Sequence, residues 1–260
     1  MKIKITLLFT LLCFQGFSQN IYSTLLHDKG ADILANTKVT QITTTITSFT
    51  EYGVETKKDV TELNEHHKIA SKLRYNDKDS LESKLIRSFD KSGTKSTAAK
   101  RETWNKLLGY SSETSKYQYD ENGHLIKVIE SNNYDIIMRE VYIKNNEKGH
   151  PISIELRTPE SKPIGILETA EYDYSNNTVI TKLLDPLGNV LTQAKLIIDG
   201  SSIKKENSYS QNIDLIEPHL YEYEYTYDEQ KNWVEKTIYK VENGKRNKHQ
   251  ILTRKIKYAS

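Results

Sequence analysis

A turn signal that recurs along the chain constrains the fold more than any other feature. Tyr119 and Asp120 precede two further residues and then Gly123, and a leucine follows two positions after the glycine. An Asp at the first turn position accepts hydrogen bonds from backbone N–H groups two residues on, and a Gly at the fourth position tolerates positive φ. The flanking runs then pair as a hairpin. The sequence therefore predicts a chain built from hairpins.

Further copies of this signal keep an Asp at the first position, and most keep the Gly at the fourth. They are Asp90 with Gly93, Asp185 with Gly188, and Asp228, after which Lys231 stands in place of the glycine. Weaker copies begin at Asn76 and Asn146. The copies are degenerate and unevenly spaced, as in a repeat protein whose units have diverged.

The runs between the turns are rich in β-branched and aromatic residues, and most alternate with polar residues, which is typical of strands. Such runs cover residues 125–129, 136–142, 152–156, 178–184, 190–198, 219–227, 233–239 and 251–258. Residues 38–49 contain five Thr, which opposes a helix there and favours a strand. We therefore predict an all-β fold: a long antiparallel meander of repeated hairpins that forms a twisted open or partly closed sheet.

The region before the repeats has a weaker pattern. Residues 19–69 are assigned to a small N-terminal region, in which residues 20–35 suit a short helix that ends near Gly30. Residues 61–73 suit either a helix or a strand. Residues 70–260 are assigned to the β-repeat domain, and no linker rich in Pro, Gly and Ser marks a boundary before it.

The first eighteen residues have the pattern of a secretory signal peptide. Lys2 and Lys4 precede an apolar run at 5–14, and the small residues at 16 and 18 predict cleavage after Ser18. The chain's single Cys, Cys13, lies in this leader, so the mature chain has no thiolate chemistry. We expect a secreted or periplasmic protein of the cell envelope of a Gram-negative-type bacterium. No later run is long and apolar enough for a transmembrane helix.

The charge balance argues against nucleic acid as a partner. The chain has 37 Lys and Arg against 35 Asp and Glu, and the leader holds two of the Lys, which leaves 37 − 2 = 35 against 35. A formally neutral chain gives little support to a surface that follows phosphates.

The hairpin units resemble the YD-repeat (Rhs-type) segments of secreted and surface bacterial proteins. The likeness lies in Tyr119-Asp120 with Gly123, and in Tyr227-Asp228 leading to Trp233. It covers about residues 70–258. In large members of that family the repeats form a β-shell around a toxin, a role that is not carried over to this chain. The resemblance implies a small β-repeat protein of the bacterial envelope.

A run of alternating tyrosines is the strongest candidate for a ligand-binding face. On a strand these rings lie on one face about 6.6 Å apart, because the side-chain period is two residues. One interpretation is an aromatic platform that stacks on sugars or peptide side chains, and the other is cross-strand packing of an aromatic core face. The candidate ligand-binding residues are Tyr221, Tyr223, Tyr225, Tyr227 and Trp233.

Catalytic, metal and cofactor motifs are not recognised. Asp120 with Glu121, and Asp228 with Glu229, are carboxylate pairs of the kind that glycosidases use, but capping of a turn already accounts for each Asp. The seven His show no metal-ligand spacing. We predict no enzyme activity, no catalytic residue, no metal and no cofactor.

Three functions are therefore carried forward. The first is a non-enzymatic β-repeat protein that binds a glycan or an envelope protein through the aromatic face. The second is a structural, assembly or immunity-type partner that recruits another strand at a sheet edge. The third is a glycan-active hydrolase with an unrecognised site.

Overall fold

A computed structural model describes residues 20–34, 36–199, 202–210, 220–242 and 244–259. The predicted signal peptide, residues 1–18, lies outside these residues. Within them, the prediction of an all-β antiparallel meander is confirmed, and helix is confined to one short element. The elements are α1 (Ile21–Leu25), β1 (Val39–Thr50), β2 (Gly53–Leu63), β3 (Ile69–Tyr75), β4 (Leu81–Phe89), β5 (Ser96–Asn105), β6 (Gly109–Tyr119), β7 (Leu125–Asn132), β8 (Ile137–Asn145), β9 (Pro151–Arg157), β10 (Pro163–Asp173), β11 (Thr178–Leu184), β12 (Val190–Asp199), β13 (Ser202–Ser210), β14 (Leu220–Tyr227), β15 (Trp233–Glu242) and β16 (Lys245–Tyr258).

The described strands form one antiparallel sheet that is open. Their order is β13-β12-β11-β10-β9-β8-β7-β6-β5-β4-β3-β2-β1-β16-β15-β14. Almost every strand therefore pairs with its neighbours in sequence. The exception is the pair of β1 and β16, in which Thr44 lies opposite Arg254. The region 61–73, which suited either helix or strand, contains the end of β2, a turn and most of β3.

Eight hairpin turns share one hydrogen-bond pattern. The first residue's N–H donates to the carbonyl of the fifth residue, and the fourth residue's N–H donates back to the first carbonyl. The fourth residue has positive φ in each, which is the geometry of a type I turn with a G1 bulge. The turns begin at Asn64, Asn76, Asp120, Asn132, Asn146, Thr158, Asp185 and Asp228, and a ninth, at Asp90, is one residue longer.

The described residues divide into two compact units. Of the described residues, the first unit comprises 20–27, 141–157, 163–199 and 202–210, and the second comprises 28–34, 36–140, 158–162, 220–242 and 244–259. The core of the first unit is apolar. Its largest fully buried side chains are those of Ile21, Val141, Val179 and Leu196.

Helix α1 is held in the first unit by a cap at its start. The Asn20 side chain accepts a hydrogen bond from the Ser23 N–H at 2.7 Å, and the Ile21 N–H donates to the Glu168 carboxylate at 2.7 Å. These bonds satisfy N–H groups that a helix start otherwise leaves without partners. Burial of Ile21 then anchors the short helix against the sheet.

In the second unit, the residues before β1 run across the hairpin turns at one end of the strands. We call residues 28–34 and 36–38 the N-terminal segment. The Ala31 N–H donates to the His67 carbonyl at 2.8 Å, in the turn between β2 and β3. The Leu34 N–H donates to the Asn232 side chain at 2.7 Å, in the turn between β14 and β15. The N-terminal segment therefore ties together turns that are distant in sequence.

We call this end of the strands the covered edge of the second unit, and its neighbouring turns also bind each other. Hairpins that follow even-numbered strands of a meander all lie at one edge. There the Asn64 side chain donates to the Gly93 carbonyl at 2.8 Å, and the Lys95 ammonium donates to the Gly123 carbonyl at 2.5 Å. The hairpins that follow odd-numbered strands make up the opposite edge, which we call the open edge.

Polar side chains are buried within the sheet of the second unit. Asp59 on β2 is 3% exposed and lies opposite Arg74 on β3. Arg74 donates two hydrogen bonds of 2.7 Å to its carboxylate, and Lys72 lies 2.7 Å from it. Burial opposes the charge of Asp59, but the hydrogen bonds from Arg74 and Lys72 outweigh it and lower the pKa of Asp59.

Candidate functional site

Strand β14 presents tyrosines on one face, as the alternation predicts. Tyr223, Tyr225 and Tyr227 are between 40% and 61% exposed, and Tyr221 is half-buried beside the ring of His249. Because successive side chains of a strand point to opposite faces, the four rings share one face. We call the three exposed residues the tyrosine strip. β14 is also one end of the strand order.

The rings of the tyrosine strip are arranged for stacking. Tyr225 and Tyr227 have ring centroids 6.2 Å apart and planes inclined by 27°. Lys236 lies directly opposite Tyr225 on β15, and its Nζ is 4.5 Å from the Tyr223 ring centroid and 5.3 Å from that of Tyr225. A cation at this distance is attracted by the ring faces. The strip therefore combines flat apolar faces with hydroxyl groups and one ammonium donor.

Trp233 has a different place from the one expected for a ligand-binding residue. Its side chain is 8% exposed, and its indole Nε1 donates to the Asp32 carboxylate at 2.8 Å. The Arg254 guanidinium carbon lies 3.2 Å from the ring centroid. Its ring meets Tyr225 edge-on at 6.2 Å. On β15, Trp233 lies opposite Tyr227, so it flanks the tyrosine strip on the same face of the sheet, and the N-terminal segment and Arg254 cover the rest of its ring.

The guanidinium of Arg254, which covers the Trp233 ring next to the strip, is a half-buried cation. Burial lowers the pKa of Arg254 to about 10, against the opposing effect of the nearby Asp32 and Tyr225. The Arg254 Nη1 also donates to the Asp32 backbone carbonyl at 2.8 Å. Arg254 and Asp32 together fix the end of the strip to the N-terminal segment.

The opposite face of β14 is held by ion pairs. Arg246 on β16 lies 2.8 Å from the Glu222 carboxylate and 2.6 Å from that of Glu224. The Tyr239 hydroxyl donates to Glu224 at 2.8 Å. The hydrogen bonds from Arg246 and Tyr239 lower the pKa of Glu224. These contacts fix the orientation of β14, and hence the direction in which the tyrosine strip points.

Other paired tyrosines hold the fold instead. The Tyr119 hydroxyl donates to the Ser96 carbonyl at 2.8 Å, and the Tyr172 hydroxyl donates to the Pro151 carbonyl at 2.8 Å. Burial raises the pKa of both phenols. Cross-strand packing therefore describes Tyr119 and Tyr172, whereas the tyrosine strip is open to a ligand.

The predicted turn residues lie in the hairpin turns described above. The Asp side chain at the first position accepts a backbone N–H: from His124 to Asp120 at 2.8 Å, and from Asn189 to Asp185 at 2.8 Å. Asp90 accepts from Lys95 at 3.1 Å, and Asp228 accepts from Asn232 at 2.9 Å. The glycines with positive φ are Gly93 (φ 71°), Gly123 (φ 79°) and Gly188 (φ 85°).

The carboxylates considered for catalysis are engaged in these turns. Asp228 also accepts the Tyr258 hydroxyl at 2.5 Å, and Asp120 lies 3.3 Å from the His124 ring. No cluster of three metal-ligating side chains occurs among the residues that the structure describes. In the same residues, no helix has the length and apolar character to cross a bilayer.

A cavity of about 940 Å³ opens at the open edge of the second unit. It lies between the ends of β2 to β5, and its lining is mixed. Lys57 pairs with Glu82 at 3.3 Å, while Val54, Trp104 and Leu107 supply apolar walls.

Sequence reasoning missed Lys236, Asp32 and Arg254. The alternation of Tyr and Glu identified the strip on β14, but nothing local indicates which lysine of the next strand lies opposite. Asp32 and Arg254 are separated from Trp233 by 201 residues and by the β15–β16 hairpin, respectively. Their contacts depend on the course of the N-terminal segment.

Comparison with known proteins shows the fold alone. No protein-family model matches the chain, and no curated protein matches its sequence. The chain is similar to the crystal structure of a porin-like protein from Bacteroides uniformis ATCC 8492, with a TM-score of 0.50 and 10% identity over 85% of this chain and 98% of that chain. The crystal structure of TcdB2-TccC3-TEV aligns with 82% of this chain and 14% of that chain, at 8% identity. Its TM-score is 0.23, which does not indicate a shared fold. The chain is thus a large antiparallel β-sheet protein similar in fold to the porin-like structure.

Proposed function

We propose that this chain is a non-enzymatic binding protein of the bacterial envelope, built from YD-type hairpins, that holds a glycan on the tyrosine strip. The observation that carries the proposal is the exposure of Tyr223, Tyr225 and Tyr227 on one face of β14. Exposed aromatic rings in a row are costly to leave in water without a partner. Sugars present apolar C–H faces and hydroxyl groups, which suit rings that carry hydroxyls of their own.

The contacts around the strip support a rigid platform. Trp233, which Arg254 covers, packs edge-on against Tyr225 on the same face, and Arg246 holds the other face of β14. A platform fixed before binding loses less conformational entropy when the ligand arrives. Lys236 adds a cation between the rings of Tyr223 and Tyr225, which favours a glycan that carries carboxylate or phosphate groups.

The envelope setting is supported by the leader pattern and by the YD-like turns. Lys2, the apolar run that follows and Ser18 suit export. The turn at Asp120 and Gly123 has the side-chain and φ geometry that a Tyr-Asp-x-x-Gly unit requires. Tyr119 immediately precedes this turn, and its hydroxyl donates a hydrogen bond to the carbonyl of Ser96, which follows the preceding covered-edge turn.

The experiment measures binding of the chain to purified envelope polysaccharides by affinity electrophoresis and calorimetry. Tyr223→Ala with Tyr225→Ala is expected to weaken binding about thirtyfold, because loss of two stacking rings removes about 2 kcal/mol. Tyr52→Ala removes a more exposed tyrosine from another hairpin and serves as the control. Lys236→Met is expected to weaken binding of acidic polysaccharides more than that of neutral ones.

Loss of binding counts only where circular dichroism and the unfolding midpoint of the variant remain those of the parent chain. If Tyr223→Ala with Tyr225→Ala unfolds the sheet, the rings belong to the core and the platform is refuted. If the folded variant binds as the parent does, the glycan site lies elsewhere.

A second candidate function is recruitment of an extended strand by β14. The specific observation is that β14 ends the described strand order and contains neither Pro nor Lys, the residues that commonly protect sheet edges. Consecutive N–H groups of a strand point in opposite directions. Glu224→Pro and Tyr225→Pro, made separately, therefore remove one inward and one outward donor. Loss of a protein partner by the variant that keeps its sheet would favour this function over the glycan platform.

A further inference from the structure

The two edges of the second unit differ in chemistry. At the covered edge, the N-terminal segment is bonded to the turns that begin at Asn64 and Asp228. At the open edge, three hairpins instead present large apolar side chains to solvent. Tyr52 lies at the tip of β1–β2, Leu107 and Leu108 at the tip of β5–β6, and Tyr134 with Ile136 at the tip of β7–β8. Large apolar side chains exposed at a hairpin tip are typical of a surface of interaction.

The β5–β6 hairpin has the most pronounced tip. Leu107 is 94% exposed and Leu108 is 81% exposed. The Asn105 side chain accepts hydrogen bonds from the N–H groups of both leucines, at 2.8 Å and 3.1 Å. The turn is therefore held by its own bonds, and both leucines project outward from a fixed backbone.

A pair of amphipathic aromatic residues lies behind the leucines. Trp104 and Tyr110 are directly opposite each other, with ring centroids 5.6 Å apart, and both are exposed. The pair lies two strand positions behind the tip, which is about 7 Å. Trp and Tyr are the residues that prefer the boundary between water and the acyl region of a bilayer. An apolar tip buried about 5–10 Å deep would place both rings at this boundary.

The charge of the hairpin also fits an anionic lipid surface. Lys106 is exposed at the tip, and no acidic side chain occurs from Trp104 to Tyr110. A lysine extends its ammonium to the headgroups while its stem stays in the apolar layer. A protein partner would instead need a pocket for two leucines on a convex point. We propose that the β5–β6 hairpin inserts Leu107 and Leu108 into the surface of a lipid bilayer and anchors the protein peripherally.

The test is flotation of the full chain with vesicles of phosphatidylcholine, and of phosphatidylcholine with about one third phosphatidylglycerol. We expect the parent chain to float with both and more strongly with the anionic vesicles. Leu107→Ser with Leu108→Ser should reduce the bound fraction at least tenfold on either composition. Leu187→Ser is the matched control, because Leu187 is an equally exposed leucine at another hairpin tip. Lys106→Ala should reduce only the preference for anionic vesicles.

Tryptophan fluorescence gives an independent readout of depth. The chain has two tryptophans, and Trp233 is buried, so a blue shift on addition of vesicles reports Trp104. The shift should disappear in Trp104→Phe. The proposal is overturned if the parent chain stays with the soluble fraction, or if the leucine double variant floats as the parent does. It is also overturned if flotation requires an added envelope protein.

Discussion

The indole Nε1 of Trp233 donates a hydrogen bond of 2.8 Å to the carboxylate of Asp32, and this bond joins the N-terminal segment to β15. The Arg254 guanidinium covers the ring and bonds the Asp32 carbonyl. Asp32 thus supplies the acceptor for the buried Trp233 N–H and also holds the cation that covers the ring. It also supports the end of the tyrosine strip, since Tyr225 packs edge-on against the same ring.

Removal of the Asp32 carboxylate is expected to destabilise the second unit. Asp32→Ala leaves the Trp233 N–H without its acceptor and Arg254 without the nearby charge, at a cost of about 1–2 kcal/mol. The free energy of unfolding is measured by urea titration with tryptophan excitation in a Trp104→Phe background, in which Trp233 is the sole tryptophan. Asp77→Ala, at an exposed turn position, should change the value by less than about 0.5 kcal/mol. An unchanged unfolding curve for Asp32→Ala would contradict this role.

The Asp59 cluster predicts a pH-dependent stability. Asp59→Ala leaves Arg74 and Lys72 without their carboxylate and should cost about 2 kcal/mol at neutral pH, since both cations are partly exposed. The folded pKa of Asp59 lies below the unfolded value of 3.8. Its contribution is therefore complete above that value and is lost as pH falls through the folded pKa. The difference between parent and variant, measured by urea unfolding, should shrink below about pH 4. A difference that stays constant down to pH 2 would refute the ion-pair explanation.

A comparison of Gly123 and Gly188 distinguishes the cost of backbone strain from the cost of local crowding. A Cβ at Gly123 would lie 1.5 Å from the Lys95 Nζ, whereas a Cβ at Gly188 meets nothing within 4 Å, and both glycines have positive φ. Gly188→Ala should therefore cost about 1 kcal/mol from strain alone. Gly123→Ala should cost more, because Lys95 must leave the Gly123 carbonyl. In a Lys95→Ala background, which removes every crowding atom of that side chain, the two costs should become equal. Equal costs in the parent chain would show that the Lys95 contact contributes nothing.

Tyr119 predicts a loss of stability in alkali. Burial raises the pKa of its hydroxyl above the unfolded value of 10.0, so the folded state holds the proton longer. The stabilisation is complete below about pH 10 and is lost as pH rises beyond it. Tyr119→Phe removes the bond to the Ser96 carbonyl at a cost of about 1 kcal/mol near neutrality. Its unfolding free energy should also fall less steeply above pH 10, by circular dichroism. An identical alkaline slope would assign the loss to other groups.

The sequence predicts the meander because its signals are local. A turn is predicted within five residues by Asp120 with Gly123, and again by Asp185 with Gly188. In the runs beside these turns, apolar and polar residues alternate. The turns at Asn132 and Thr158 were missed because Asp135 and Ser161 occupy the position of positive φ. Asp adopts this conformation more often than most residues, yet it does not mark a turn as Gly does.

The candidate site was predictable on β14 alone. Alternation identifies Tyr223 and Tyr225 as neighbours on one face, because the alternation of side chains between faces can be read from one strand alone. The burial of Trp233 and the position of Lys236 depend on partners from other strands and from the N-terminal segment. Register between strands is fixed by turn geometry and packing together, and neither can be read from one run of residues.

Because β1 pairs with β16, the order of the strands in the sheet is a cyclic permutation of their order along the chain. Val39 lies opposite Tyr258, and the Ala259 N–H donates to the Lys38 carbonyl at 2.8 Å. The start of the first strand and the end of the last are therefore adjacent. A circular permutant whose new ends fall between β13 and β14 would keep every strand pair, and β16 would then lead through the residues before β1 into its partner strand. Such a chain should fold faster than the natural one, because the pairing of β1 with β16 would no longer require contact between opposite ends of the chain.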